Sequence, residues 1–223
     1  MPSADIANFL NVALDVQAEP YAGVHVADGV AAATDGVLLV AADWGAEFLR
    51  GEGAISPRAA AVLAALAEST YIGGIEVSGN RVTALAQSTR FEENIGEVSG
   101  EFQTVELPEF WCRQFPVARM LRVLTDAEAG WVPLAESPSV KNLRELSPKG
   151  FVALSGVYGE GDELFRPKAD GDTLYYSVAQ LRRGLRLFGA RARLSVRRSA
   201  KGWLAFEDGY GHTFAVTPFV RYD

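Results

Sequence analysis

One pattern, used twice, restricts what this chain can become. A helix-period stretch at 57–68 runs straight into a hairpin pattern, and a second at 177–188 does the same about 120 residues later. A helix followed by a hairpin requires a helical stripe and one face of an antiparallel sheet to be buried together, which is the α+β solution. With 223 residues, 48% of them hydrophobic and 22% charged, the chain can hold two such cores, and disordered, fibrous and coiled-coil designs are excluded. The expected fold class is therefore α+β, with two similar domains at 1–108 and 109–223, each with two helices packed on antiparallel sheets.

The local signals are specific. In 4–14, Ile6, Phe9, Leu10 and Ala13 form one helical stripe, with Asp5, Asn8 and Asn11 opposite. After Pro20, β-rich runs are broken at Asp28-Gly29 and Asp35-Gly36, pairs that favour tight hairpins, so a three-stranded meander is expected. Ser56 as N-cap and Pro57 at the first helical position open the next helix, whose apolar side is read as Ala59, Val62, Leu63 and Leu66. Strands at 72–77 and 81–87 flank Ser78-Gly79-Asn80, with further strands expected at 90–95 and 101–107.

In the second half, Pro116 starts a helix with Val117, Met120, Leu121 and Leu124 on one stripe. A loop-rich stretch through Pro133, Pro138 and Pro148 leads to a strand at 151–157, turns at 159–172 and a strand at 173–176. The helix at 177–188 is expected to bury Val178, Leu181, Leu185 and Phe188 and to expose Gln180, Arg182, Arg183 and Arg186. Short strands at 193–198, 202–207 and 212–218 follow.

Charge divides the chain more sharply than its net value of -7 suggests. Residues 1–110 hold four basic residues against sixteen acidic ones, whereas 111–223 hold seventeen basic against twelve acidic. That asymmetry implies a polyanion or an acidic surface as partner of the second half. No apolar run reaches the roughly 18 residues of a membrane helix, and the first ten residues lack the basic and apolar regions of a signal peptide, so a cytoplasmic protein is expected.

Catalytic and cofactor chemistry finds little support. Cys112 stands alone, and with only His25 and His212 beside it no zinc cluster is expected; neither is any other metal or cofactor. Gly156, Gly159 and Gly161 lack the spacing of a dinucleotide fingerprint, and Asp170 and Asp172 lack the remaining ligands of a calcium loop. Glu92 and Glu93 would face opposite sides of a strand, and the two histidines sit in strand-like text without a nearby nucleophile, so structural roles are expected. The arginines remain: Arg119 and Arg122 on one helix and Arg182, Arg183 and Arg186 on another would form a basic surface able to hold a nucleic-acid backbone without reading bases.

The chain resembles the DNA sliding clamps, specifically the bacterial polymerase III beta clamp. The likeness lies in AGVHVADGVAAATDGVLLVA, where Ala33, Thr34, Asp35, Gly36 and Leu39 match the family's A-T-D-G-x-x-L element, and in ISPRAAAVLAAL, IEVSGNRVTAL and FEDGYGHTFAVTPFV. Their order corresponds to the second and third domains of the bacterial clamp, with the first domain missing. The resemblance implies a DNA clamp fold, no enzymatic activity, and a ring of six domains whose helices line a central hole. With two domains per chain, it implies a homotrimer that encircles double-stranded DNA and tethers a polymerase, in the manner of phage-like two-domain clamps.

The resemblance also implies partners, a DNA polymerase and a clamp loader, that dock short linear motifs in an apolar pocket. Its wall would comprise Thr34, Gly36, Val37, Leu38 and Leu39 with Val216, Thr217, Pro218 and Phe219. One departure is Val37-Leu38, where the bacterial family has His-Arg, which puts partner specificity in question. A second is that the first-half helices offer only Arg58 to DNA. The alternative is therefore a clamp-fold protein that does not encircle DNA and instead binds clamp-binding peptides or blocks a replication factor.

Overall fold

The computed structural model describes residues 3–17, 22–79, 81–87, 102–107, 132–133, 151–154, 174–189, 192, 194–199 and 203–218. Backbone contacts divide the chain into two compact units, Met1–Asp35 with Ala42–Ala118, and Gly36–Ala41 with Arg119–Asp223. The expected 108/109 boundary falls outside the described residues.

The first unit opens with helix α1 (Ser3–Val16), which buries Ile6, Phe9, Leu10 and Ala13 as its period requires. Strands β1 (Val24–Ala27) and β2 (Val30–Thr34) form the expected hairpin. Asp28 and Gly29 both take positive φ, 51° and 80°, which a two-residue turn matched to strand twist needs. β3 (Leu38–Asp43) belongs for its first four residues to the second unit, and the first unit resumes with β4 (Leu49–Ile55), a strand the sequence conceals behind Gly51 and Gly53. It pairs antiparallel with β1 and parallel with β5 (Tyr71–Gly79). A parallel pair needs a crossover, and α2 (Pro57–Ser69) supplies it.

Helix α2 starts where expected, the Ser56 Oγ accepting from the Ala59 amide at 3.1 Å with Pro57 in the first turn. Its buried stripe differs from expectation. Ala59, Ala60, Leu63, Ala64 and Ala67 face inward, Leu66 is half-buried, and Val62 is exposed. Alanines on that side let α2 lie close against α1, where Asn11 Nδ2 donates to Glu68 Oε1 at 3.2 Å. The edge is completed by β6 (Arg81–Gln87) and β7 (Phe102–Glu106), both antiparallel. The order in this unit is β7-β6-β5-β4-β1-β2. The strand expected at 90–95 lies outside the described residues.

In the second unit, β8 (Val132–Pro133) puts Pro133 in a short strand where a loop was expected. A proline fits because β8 is a terminal strand of its sheet. β9 (Phe151–Leu154) pairs with β10 (Leu174–Ser177), which leads into α3 (Val178–Leu185), three residues shorter than the pattern suggested because 186–188 turn off as successive i→i+3 bonds. β11 (Ser195–Arg198), β12 (Leu204–Glu207) and β13 (His212–Val216) form an antiparallel meander, with β8 beside β11. Its core is aromatic: Phe214 stacks on Phe206 at 4.4 Å between centroids and touches Phe188 at 5.7 Å. The helix expected from Pro116 and the turns at 159–172 lie outside the described residues.

Candidate functional site

The arginines of α3 are oriented by the opposite side of their helix. The Ser177 Oγ accepts from the Gln180 amide at 3.4 Å and caps the start. Leu181 and Leu185 are buried, and Gly184 lies flat on Phe214, where a Cβ would stand 2.5 Å from the ring. With that side pressed inward, Arg183 and Arg186 are exposed and Arg182 is half-buried. Arg182 and Arg183 also lie in the last turn, where a cation complements the carbonyl end of the helix. Arg119 and Arg122 lie outside the described residues.

The residues expected to wall a peptide pocket divide by burial. In the second unit, the Thr217 amide donates to the Val37 carbonyl at 3.0 Å, bringing the residues after β13 beside those before β3. Leu38, Leu39 and Val216 are buried, Val37, Thr217 and Pro218 are half-buried, and Gly36, with φ of 89°, is exposed. Thr34 is buried at the end of β2 in the first unit. Phe219 lies outside the described residues.

The first unit presents a different helical surface. Asn8, Asn11 and Asp15 on α1 and Arg58, Ala61, Val62, Ala65 and Glu68 on α2 are exposed and Asp5 is half-buried, so this surface has one cation against two exposed carboxylates and a half-buried third. A shallow groove of about 720 Å³ runs between Ala4, Ala7, Asn8 and Asn11 of α1 and Ala67 and Glu68 of α2.

The histidines have structural surroundings. His25 is buried in β1. His212 Nδ1 lies 2.9 Å from Asp208 Oδ2, while Asp208 Oδ1 accepts from the Tyr210 and His212 amides at 2.8 and 3.2 Å. This clasp ties the β12–β13 turn. Among the described residues, no group of three or more His, Cys, Asp and Glu is placed to hold a metal ion. Cys112, Glu92, Glu93, Gly156, Gly159, Gly161, Asp170 and Asp172 lie outside the described residues. No helix among the described residues is long and apolar enough to cross a membrane.

One surface escaped the sequence reading. Tyr71, Leu85 and Phe102 are 43%, 40% and 51% exposed on adjacent strands β5, β6 and β7. The available signal was alternation: Arg81, Thr83, Leu85 and Gln87 share the outward face of β6, and a leucine among them is out of place.

The helices, the β4–α2–β5 crossover and the antiparallel meander together make an α+β clamp fold, the architecture of the DNA polymerase sliding clamps. Solved structures similar to the chain include the DNA polymerase III subunit beta of Pseudomonas aeruginosa (13% identity, TM-score 0.59, covering 99% of this chain and 64% of that one). The sliding clamps of Bacillus subtilis (12%, 0.56, covering 100% and 64%) and Caulobacter crescentus (15%, 0.57, covering 100% and 65%) are similar too. The chain thus spans less than two thirds of the length of these relatives in fold. No family model matches the sequence, and a search of curated proteins returns no match.

Proposed function

We propose that the chain is a DNA polymerase processivity factor, a sliding clamp of two domains, 1–108 and 109–223, that closes as a homotrimer around double-stranded DNA in the cytoplasm. The observation that carries this reading is a likeness to sliding clamps over 100% of the chain, with Arg183 and Arg186 exposed at α3 and its C-terminal cap. Two domains per chain would need three chains to make six domains. A head-to-tail ring is a heterologous interface that closes, and the acidic half of one copy facing the basic half of the next would favour it.

In this reading Arg182, Arg183 and Arg186, with Arg119 and Arg122, contact phosphates without reading bases. Thr34, Gly36–Leu39 and Val216–Phe219 receive the short motifs of a polymerase and a loader, and the chain performs no catalysis. The test is retention on DNA: a ring holds a closed circular duplex at high salt and is released when the circle is cut. Equal retention on circular and linear DNA would refute encirclement.

The second reading is a clamp-fold protein that does not encircle DNA and instead captures clamp-binding peptides or blocks a replication factor. The exposed surface of α1 and α2 favours it, because one arginine against the exposed Asp15 and Glu68 and the half-buried Asp5 gives little phosphate attraction.

A further inference from the structure

We propose that the outward face of β5, β6 and β7 in the first unit is a docking surface for a short linear segment of a partner protein, one with an apolar pair of side chains flanked by basic residues. The surface has two continuous parts. One is a shelf of Tyr71 and Phe102, with ring centroids 6.2 Å apart and Leu85 beside them on the neighbouring strand. The other is a cleft of about 100 Å³ next to it, with Phe48 and Ile75 in its wall and Leu85 and Gly73 shared with the shelf.

Gly73 makes the two parts continuous. A Cβ there would stand 2.3 Å from the Phe102 ring, so only a glycine lets that ring lie over β5. The register shift between Ile72 and Gly74 sits at the same place, where a bulge re-aims the side chains around it.

Size and charge select the occupant. Three aromatic or aliphatic side chains about half exposed offer roughly 300 Å² of apolar surface. That is well short of the ~800 Å² per partner of a stable interface between two folded chains, and it suits a few residues of an extended segment. The cleft has room for one aliphatic side chain, and the shelf offers two rings on which an aromatic can lie. The carboxylates of Glu47 and Glu76 border the cleft against the single guanidinium of Arg50, whose Nε already donates to the Glu47 carbonyl at 3.1 Å. On the far side, Glu106 pairs with Arg81 at 3.1 Å. The rim is net acidic, within a half of the chain that carries sixteen acidic residues against four basic ones, so a basic flank is the complement. This surface is independent of the ring reading, since it needs neither DNA nor a second copy.

The experiment uses the full chain and two fluorescein-labelled decapeptides. Both contain a leucine and a tyrosine two positions apart, one flanked by lysines and the other by glutamates, and binding is read by fluorescence anisotropy. The expected result is that the lysine-flanked peptide binds at least tenfold tighter. Phe102→Ser and Leu85→Ser, which replace exposed side chains, should each weaken it at least tenfold while far-UV circular dichroism stays unchanged. The pair Glu47→Lys and Glu76→Lys leaves the apolar shelf intact and should remove the preference for lysine. Equal binding of the two peptides, or affinity unmoved by Phe102→Ser and Leu85→Ser, overturns the proposal. So does a wild-type oligomer that these two substitutions convert to monomer, because the surface would then lie between copies of the chain.

Discussion

Gly51 is the position where one methyl group should do the most damage. It lies in β4 with φ of 85°, opposite Val77 in the parallel pairing to β5, and a Cβ would stand 1.9 Å from the Val77 carbonyl oxygen. That oxygen belongs to backbone and cannot swing away, so Gly51→Ala must push β4 off β5. A left-handed φ costs an alanine about 1–2 kcal/mol, and a less flexible unfolded chain returns about 0.5 kcal/mol. Losing two strand-to-strand hydrogen bonds at about 1 kcal/mol each brings the expected loss to about 3 kcal/mol. Gly45 provides the control, with φ of 80° and no atom within 4 Å of its Cβ position. Gly45→Ala should therefore cost about 1 kcal/mol, the φ cost less the same gain from a stiffer unfolded chain. Urea unfolding followed by circular dichroism, with amide exchange resolving the β4 and β5 amides, separates the two. A Gly51→Ala protein as stable as Gly45→Ala would refute the close approach of the strands.

Three further outcomes are expected. Ser56→Ala removes the N-cap of α2 and should cost about 1 kcal/mol in urea unfolding, while Ser56→Gly should cost only a few tenths. Phe214→Ala empties the ring-lined core under α3 and should cost about 3–5 kcal/mol, visible as a large fall in Tm. Replacing Arg182, Arg183 and Arg186 with serine should weaken DNA retention and flatten its dependence on salt, measured by filter binding across a salt series; an unchanged slope would remove α3 from the DNA contact.

The elements legible in the sequence were those whose signals are local. Asp28-Gly29 marked a hairpin because both residues tolerate positive φ, and Ser56-Pro57 marked a helix start because a cap and a fixed φ need no tertiary partner. Strand β4 was hidden because Gly51 and Gly53 read as breakers, whereas Gly51 is there to let another strand approach. The buried side of α2 differs from expectation for a related reason: hydrophobicity favours Val62, but the side the helix buries is the one that carries Ala60, Ala64 and Ala67 with Leu63.

The candidate site was legible only in part. The outward direction of Arg183 and Arg186 followed from the period of α3. The burial of Leu38 and Val216 did not follow, because a leucine or valine in a strand reads the same whether it walls a pocket or fills a core. The exposed shelf at Tyr71, Leu85 and Phe102 is assembled from three strands, and only their register brings it together.

The proposed ring stands or falls on oligomeric state. Light scattering coupled to gel filtration, over a range of protein concentrations at low and moderate salt, should give three times the 24.0 kDa chain mass. A mass of one chain at every concentration and salt would contradict the closed trimer and leave the non-encircling, peptide-binding reading in its place.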